Sequence, residues 1–180
     1  MFEFVVLLTV NWVNFDNIAF RNFLGVSKGP GIYFLRWKKY ENPVVIARLG
    51  GSDDLGLLYI GESKNLKRRL QRLWKAIKNV KDVEANLRRV DTLRNAILFC
   101  NLHNEIGSGE YEIAWEEVST KLEAQIQQAV ALQLYTLKFK EPPPLNLKVC
   151  GSTYLKWGIC YSDSENWSGK ANNFVKSILS

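Results

Sequence analysis

Between residues 57 and 80 the chain changes its apolar period once and abruptly, and this restricts the folds open to it. Leu57-Leu58-Tyr59-Ile60-Gly61 is a short, nearly continuous apolar run closed by glycine and reads as a strand. From about Lys64 to Val80 the apolar residues Leu66, Leu70, Leu73, Ile77 and Val80 recur at three- and four-residue steps, one face of a helix. The remaining positions carry Lys64, Lys67, Arg68, Arg69, Arg72, Lys75 and Lys78, with no acidic residue among them. Such a helix lays its leucine stripe on a sheet and leaves its charge outside.

The other segments fit the same plan. Gly31 to Trp37 and Glu110 to Val118 read as strands, and Val44 to Leu49 as another, followed by a turn over Gly50 to Asp54. Helices are predicted over Phe15 to Val26, Val83 to Leu102, Thr120 to Leu137 and, last, Ala171 to Leu179. Few strands and several helices predict an α/β chain of the α+β kind, a small and mainly antiparallel sheet flanked by helices. With 180 residues the chain suffices for one sizeable core and is short for two ordinary domains, so a single domain over 1–180 is expected. The apolar start, Met1 to Leu8, is too short to span a bilayer and lacks the basic region of a signal peptide, so a cytoplasmic protein off the membrane is expected. Cys100, Cys150 and Cys160 are odd in number and lack metal-ligand spacing, which fits reduced thiols. The one histidine, His103, leaves neither a Ser-His pair nor a His-rich metal site easy to assemble.

The net charge of +6 fits a polyanionic partner, and its clustering on one helix carries more weight than its size. Tyr33 and Tyr59 each sit among apolar neighbours in a strand, where a tyrosine is ordinarily a core residue with one satisfied hydroxyl. A basic helix, likewise, is ordinarily a solvated face. Signs are normally interspersed on a surface, however, and an unrelieved cationic stripe repels itself until an anion arrives. Arg69 stands apart from its neighbours: it lies three residues after Leu66 and four before Leu73, beside the buried stripe, and is predicted to point at the sheet. A guanidinium facing a strand tyrosine suits a phosphate, whose oxygens match its planar fork.

Gly31-Ile32-Tyr33, then Tyr59-Ile60-Gly61, then Ser63-Lys64-Asn65-Leu66-Lys67-Arg68-Arg69-Leu70 resemble the signature of the GIY-YIG nucleases. Within that superfamily, Tyr59 to Leu70 is similar to the incision nuclease of bacterial excision repair. In the family a helix bearing one glutamate precedes a proline-containing loop and an asparagine. Here Ala131 to Leu137 precedes Pro142-Pro143-Pro144-Leu145-Asn146, so Asn146 matches the asparagine and the glutamate position falls on Gln133. The resemblance spans about residues 30–147, with 1–29 before it and a 148–180 extension after it.

Spacing also singles out Gln133. Leu122, Ile126, Ala129, Gln133 and Leu137 are predicted to form one inward stripe in which Gln133 is the only polar member. A structural glutamine bonded to backbone is the plain alternative. Glutamine matches glutamate in shape but offers no anionic oxygen to a hard cation. Glu123 and Glu141 are the nearby carboxylates that could stand in. The chain is then either a deliberately inactivated variant or a protein that naturally lacks strong cleavage.

The resemblance implies a metal-dependent endonuclease acting on double-stranded DNA. It implies Tyr33 or Tyr59 as general base with its pKa lowered by cations, Arg69 on the scissile phosphate, Asn146 ordering the site, and one Mg²⁺ (or Mn²⁺) held weakly at Gln133. Lys64, Lys67, Arg68, Arg72, Lys75 and Lys78 are the expected DNA-backbone contacts. Arg88, Arg89, Arg94 and the tail aromatics Trp157 and Trp167 are places to look for base readout. No appended recognition module is visible, which fits a compact restriction-type enzyme; repair, homing and phage roles, or a catalytically silent DNA-binding module, are the alternatives. Cutting both strands requires a dimer on DNA or two successive events.

Overall fold

A computed structural model describes residues 10–78, 110–146, 169 and 171–179 of the chain. The expected helix over Val83 to Leu102, the three cysteines, His103, Trp157 and Trp167 lie outside the described residues.

The described chain is α+β, and its main sheet is antiparallel throughout. In chain order it contains β1 (Val13–Asn14), α1 (Phe15–Phe20), β2 (Gly31–Lys39), β3 (Asn42–Pro43), β4 (Ile46–Arg48), β5 (Gly51–Asp53), β6 (Leu57–Ser63), α2 (Leu66–Lys78), β7 (Glu110–Glu117), α3 (Lys121–Phe139) and α4 (Asn173–Leu179). Strand β2 is central, with β7 on one side and β6 on the other. In this register Tyr33 lies between Trp115 of β7 and Gly61 of β6, and Phe34 lies between Ala114 and Ile60.

Successive residues of a strand face opposite sides, and here both sides are covered. Tyr33 and Leu35 pack with Phe15 and Ile18 of α1 and with Leu66, Leu70, Leu73 and Ile77 of α2. Ile32 and Phe34 pack with Ala131, Leu132 and Tyr135 of α3 and Val175 and Ile178 of α4. Burial on both faces explains why Gly31-Ile32-Tyr33-Phe34-Leu35 is continuously apolar rather than alternating. It also makes β2 the strand least able to shift register.

Several boundaries differ from the sequence expectations. Helix α1 ends at Phe20 rather than Val26, because Asn22 and Phe23 adopt left-handed backbone (φ 50° and 56°) and turn the chain back. The turn brings the Phe23 ring edge-on to Phe15, with centroids 6.3 Å apart. The expected Val44 to Leu49 strand is shortened to β4, which pairs with β5 in a separate hairpin that absorbs most of the expected Gly50 to Asp54 turn, while β3, just ahead of it, pairs back on the end of β2. The predicted stripe on α3 is also displaced. Leu122 and Leu137 are 41% and 38% exposed, while Ala129 and Gln133 of that stripe are buried and the core beneath the sheet also takes Val130, Ala131, Leu132, Tyr135 and Phe139.

The β4–β5 hairpin is tied to the end of α3 by polar bonds. Asp53 is fully buried and accepts from Leu55 N (2.9 Å), Leu57 N (3.1 Å) and the Tyr135 hydroxyl (2.6 Å). Arg48 donates to the Pro142 carbonyl and lies 3.1 Å from Glu141 through Nε, an ion pair not aligned as a hydrogen bond. These contacts fix where the chain enters the Pro142–Asn146 loop. No described helix is long and apolar enough to cross a membrane.

Tyr135→Phe removes one donor from a buried carboxylate and is expected to lower stability by about 1–3 kcal/mol, read from urea denaturation. An unchanged midpoint would show that this bond holds nothing.

Candidate active site

The path from β6 into α2 is fixed by local bonds. The Ser63 hydroxyl accepts from Asn65 N (3.0 Å) and donates to Asn65 O (2.9 Å). The Asn65 side chain accepts from Arg68 N at 2.9 Å, the bond of a helix N-cap. Leu66 N and Lys67 N, which have no partner within the helix, donate to Gly29 O and Ser27 O just ahead of β2. The first turn of α2 is thereby anchored against both β6 and the entry to β2.

That anchoring aims Arg69 at the sheet, as its spacing predicts. Its Nε donates to the Tyr33 hydroxyl at 2.7 Å and a terminal nitrogen to the Tyr59 hydroxyl at 3.3 Å. The two rings lie 6.0 Å apart, tilted by 35°. Their closeness depends on Gly61, opposite Tyr33 in the register. A Cβ at Gly61 would overlap Cζ and the hydroxyl of Tyr33 and lie 2.7 Å from Cε1 of Tyr59. Gly31 is constrained in the same way, by the Glu116 carbonyl and the Leu66 side chain.

Burial dominates the chemistry of Tyr33. The residue is 0% exposed, and desolvation pushes its pKa far above the ordinary phenol range. Tyr59 adds to the rise, and the opposing pull of Arg69 does not reverse it. The expectation that neighbouring cations lower the pKa is therefore corrected for Tyr33. At neutral pH Tyr33 keeps its proton and acts as a donor, while Tyr59 is only partly buried.

Beside this trio opens a cavity of about 260 Å³ lined by Ser63, Lys64, Asn65, Arg68, Arg69 and Arg72. Four of the six residues are cationic, so it suits a phosphate group. Lys75 is exposed farther along α2 and Lys67 is half-buried. Lys78 pairs with Asp16 at 2.8 Å.

Asn146 reaches the same strand from outside the sheet. Its Oδ1 accepts from Ile60 N and its Nδ2 donates to Ile60 O, both at 2.9 Å, while Leu145 N donates to Leu58 O. Its amide is spent on the backbone next to Tyr59, so Asn146 positions that strand.

Gln133 is not brought to the trio. The side of α3 facing β6 and the hairpin is marked by Gln128, which donates to Ile60 O (3.2 Å), and by Tyr135 on Asp53. Gln133 is five residues past one and two before the other, about 140–160° round the helix from both. It is buried, 4% exposed, on the far side. The cause lies in α3 itself, which packs on the sheet and also meets the α4 segment, where Gln127 accepts from Asn172 N (2.9 Å). Its apolar residues therefore surround it and mark no single face. The two stand-in carboxylates are committed elsewhere: Glu123 accepts from Ser119 N, and Glu141 faces Arg48 and accepts from Leu49 N.

One residue near Arg69 is not singled out by the sequence pattern. Glu62 follows Gly61 directly, and burial, its chief perturbation, raises its pKa against the pull of Lys121 and Arg69 and a hydrogen bond with Gln125. Its Oε2 is enclosed and has no hydrogen-bond partner. The available signal was a lone acid between an apolar strand and an all-basic helix. Among the described residues no group of three or more His, Cys, Asp or Glu side chains could hold a metal.

No family model, curated protein or solved structure matches the chain. Its site geometry is therefore what bears on its chemistry.

Gly61→Ala is expected to separate the two phenols and to destabilise the chain by about 1–3 kcal/mol in chemical denaturation, as overpacking does; a fully stable variant would show that the rings have room to move. Gln133→Glu places an ionisable carboxyl in a buried position and is expected to lower the melting temperature. It is expected to create no Mn²⁺ binding in a titration, and a new Mn²⁺ site there would return residue 133 to the active centre.

Proposed function

We propose that the chain is a metal-dependent DNA endonuclease of the GIY-YIG kind, a compact restriction-type enzyme that hydrolyses phosphodiester bonds. The observation that carries this reading is Arg69 bridging two strand tyrosines at the wall of a cation-lined cavity.

Hydrolysis of a phosphodiester needs charge stabilisation on the phosphorus oxygens, an oriented water, and relief of charge on the leaving oxygen. Arg69, Arg68, Arg72 and Lys64 supply the first around the cavity. Tyr33 is too buried to ionise and serves as a fixed donor that, with Arg69, holds the Tyr59 hydroxyl. Tyr59, the partly exposed member, is the hydroxyl placed to orient or deprotonate the attacking water. Mg²⁺ or Mn²⁺, if bound, would supply the third requirement as a Lewis acid, and no cluster of three or more His, Cys, Asp or Glu side chains among the described residues is formed to hold it. The basic face of α2, through Lys64, Lys67, Arg68, Arg72, Lys75 and, in exchange for Asp16, Lys78, holds the flanking backbone without reading sequence.

A catalytically silent DNA-binding module is the second reading. It is favoured by the burial of Tyr33, which keeps its hydroxyl protonated.

Nicking of supercoiled plasmid in Mg²⁺ or Mn²⁺ is expected, with a loss of about 100-fold or more in Arg69→Lys, the scale of removing one fixed donor. Duplex affinity should fall steeply with salt, and neutralising Lys64 or Arg72 should lower the log–log slope by about one. Salt-dependent binding without nicking in either metal would favour the silent module. The absence of salt-dependent binding would end the nucleic-acid reading.

A further inference from the structure

We infer that the cavity between α1 and the second half of α2 is a subsite for an unpaired nucleobase of the strand that the basic face of α2 holds. The inference rests on the DNA binding of the nuclease reading above and not on its cleavage chemistry.

The cavity has a volume of about 540 Å³ and is lined by Asp16, Asn17, Ala19 and Phe20 of α1 and by Trp74 and Lys78 of α2. That size lies within the roughly 300–1,000 Å³ of small-ligand clefts. Its walls join two aromatic rings to a few polar groups. Trp74 packs against the core between the two helices, and its indole N–H donates to Asp16 at 2.8 Å, which fixes the ring. Phe20 is 93% exposed and belongs to neither core, so folding leaves its ring uncovered. The backbone N–H groups of Asp16 and Asn17 are taken by the Asn14 side chain. The polar groups offered to a ligand are therefore the side chains of Asp16, Asn17 and Lys78.

Charge identifies what covers these rings. Arg72 lines the cationic cavity beside Arg69 and Lys78 lines this one, with Lys75 exposed between them. The three follow at three-residue steps, each about 60° round α2 and about 4.5 Å along it from the last. The row joins the two cavities over about 9 Å, or roughly two to three nucleotides of a stacked strand. A strand with a phosphate in the cationic cavity thus reaches Phe20 and Trp74 along cations. Stacking on a ring is open to every base, but it needs a base face free of its duplex neighbours, as in an overhang, a frayed end or an extruded base. Asp16 adds a preference. Its two oxygens accept from Trp74 and from Lys78, both at 2.8 Å, and a carboxylate has about four acceptor positions. An exocyclic amino group, as on cytosine, suits those that remain, whereas thymine presents a carbonyl there.

The test uses the whole chain and one DNA duplex carrying either a short single-stranded dC tail, a dT tail, or a tail of equal length built of abasic sites. The abasic tail keeps the phosphates and lacks the bases. Affinity is read by fluorescence anisotropy at fixed salt without divalent metal, and melting is measured on each variant. The parent is expected to bind the dC tail about tenfold or more tighter than the abasic tail, the scale of one base stacked on an aromatic ring. Phe20→Ala is expected to lose that advantage, and Phe20→Tyr, which keeps the ring, to retain it. Asp16→Ala is expected to abolish a preference for dC over dT while raising affinity for both, since it frees Lys78. Leu24→Ala, which removes an exposed apolar side chain outside the cavity, is expected to change nothing. Equal affinity of the parent for the dC and abasic tails, or an undiminished advantage in Phe20→Ala, overturns the inference and leaves the cavity to a peptide or to no ligand. Failure of the nuclease reading has a different signature: tail binding that depends on Phe20 persists, and no DNA is nicked in Mg²⁺ or Mn²⁺.

Discussion

A guanidinium held against two phenol oxygens ties together the three elements on which this fold turns. Arg69 belongs to α2, Tyr33 to the central strand and Tyr59 to the edge strand β6. Hydrogen bonds from a charged donor contribute about 1.5–3 kcal/mol each, more than neutral ones. The larger consequence is geometric. The leucine stripe of α2 is non-directional and tolerates small slides and rotations, whereas two bonds from one planar fork do not. Gly61 is the complementary constraint, since any side chain there would displace the Tyr33 ring. The glycine, the tyrosines and the arginine form one packing unit, and the strand register brings them together.

Strand β6 would otherwise expose its outer edge, a hazard for any sheet. The edge is instead closed by Leu145, Asn146 and Gln128, which take the backbone groups of Leu58 and Ile60. These residues are held in turn by the end of α3, where Asp53, Tyr135, Arg48 and Glu141 lock the β4–β5 hairpin to the Pro142 loop. A buried polar network of this sort adds little net stability but specifies one arrangement. The position of Tyr59 is therefore determined from both sides, by β2 within the sheet and by a loop more than eighty residues away in sequence.

What the sequence disclosed follows from the range of the interactions. The strands at Tyr33 and Tyr59, the helix after Ser63 and the inward lean of Arg69 are set by periods of a few residues, and the fold agrees with them. Asn146 was found by its place after the proline loop, but its partner, the Ile60 backbone, is a tertiary fact. Gln133 is buried as its spacing predicts, but α3 is buried round most of its circumference, so counting apolar residues at helical steps yields several stripes of equal merit. The stripe through Gln133 is exposed at its two ends, Leu122 and Leu137, and buried between them at Ala129 and Gln133. The early end of α1 rests on left-handed residues at Asn22 and Phe23, and phenylalanine carries no local signal for that conformation.

The electrostatics of the trio divide its labour. Two phenols sharing one guanidinium are not equivalent when one is fully enclosed and the other reaches solvent. The enclosed oxygen, on Tyr33, cannot carry charge cheaply, because desolvation outweighs the pull of Arg69. Its hydroxyl becomes a fixed dipole, and fixed dipoles are what a transition state with developing charge exploits. Tyr59, its neighbour across the strand pair, is the partly exposed member. Burial, more than residue type, thus gives Tyr33 the part of holding the geometry.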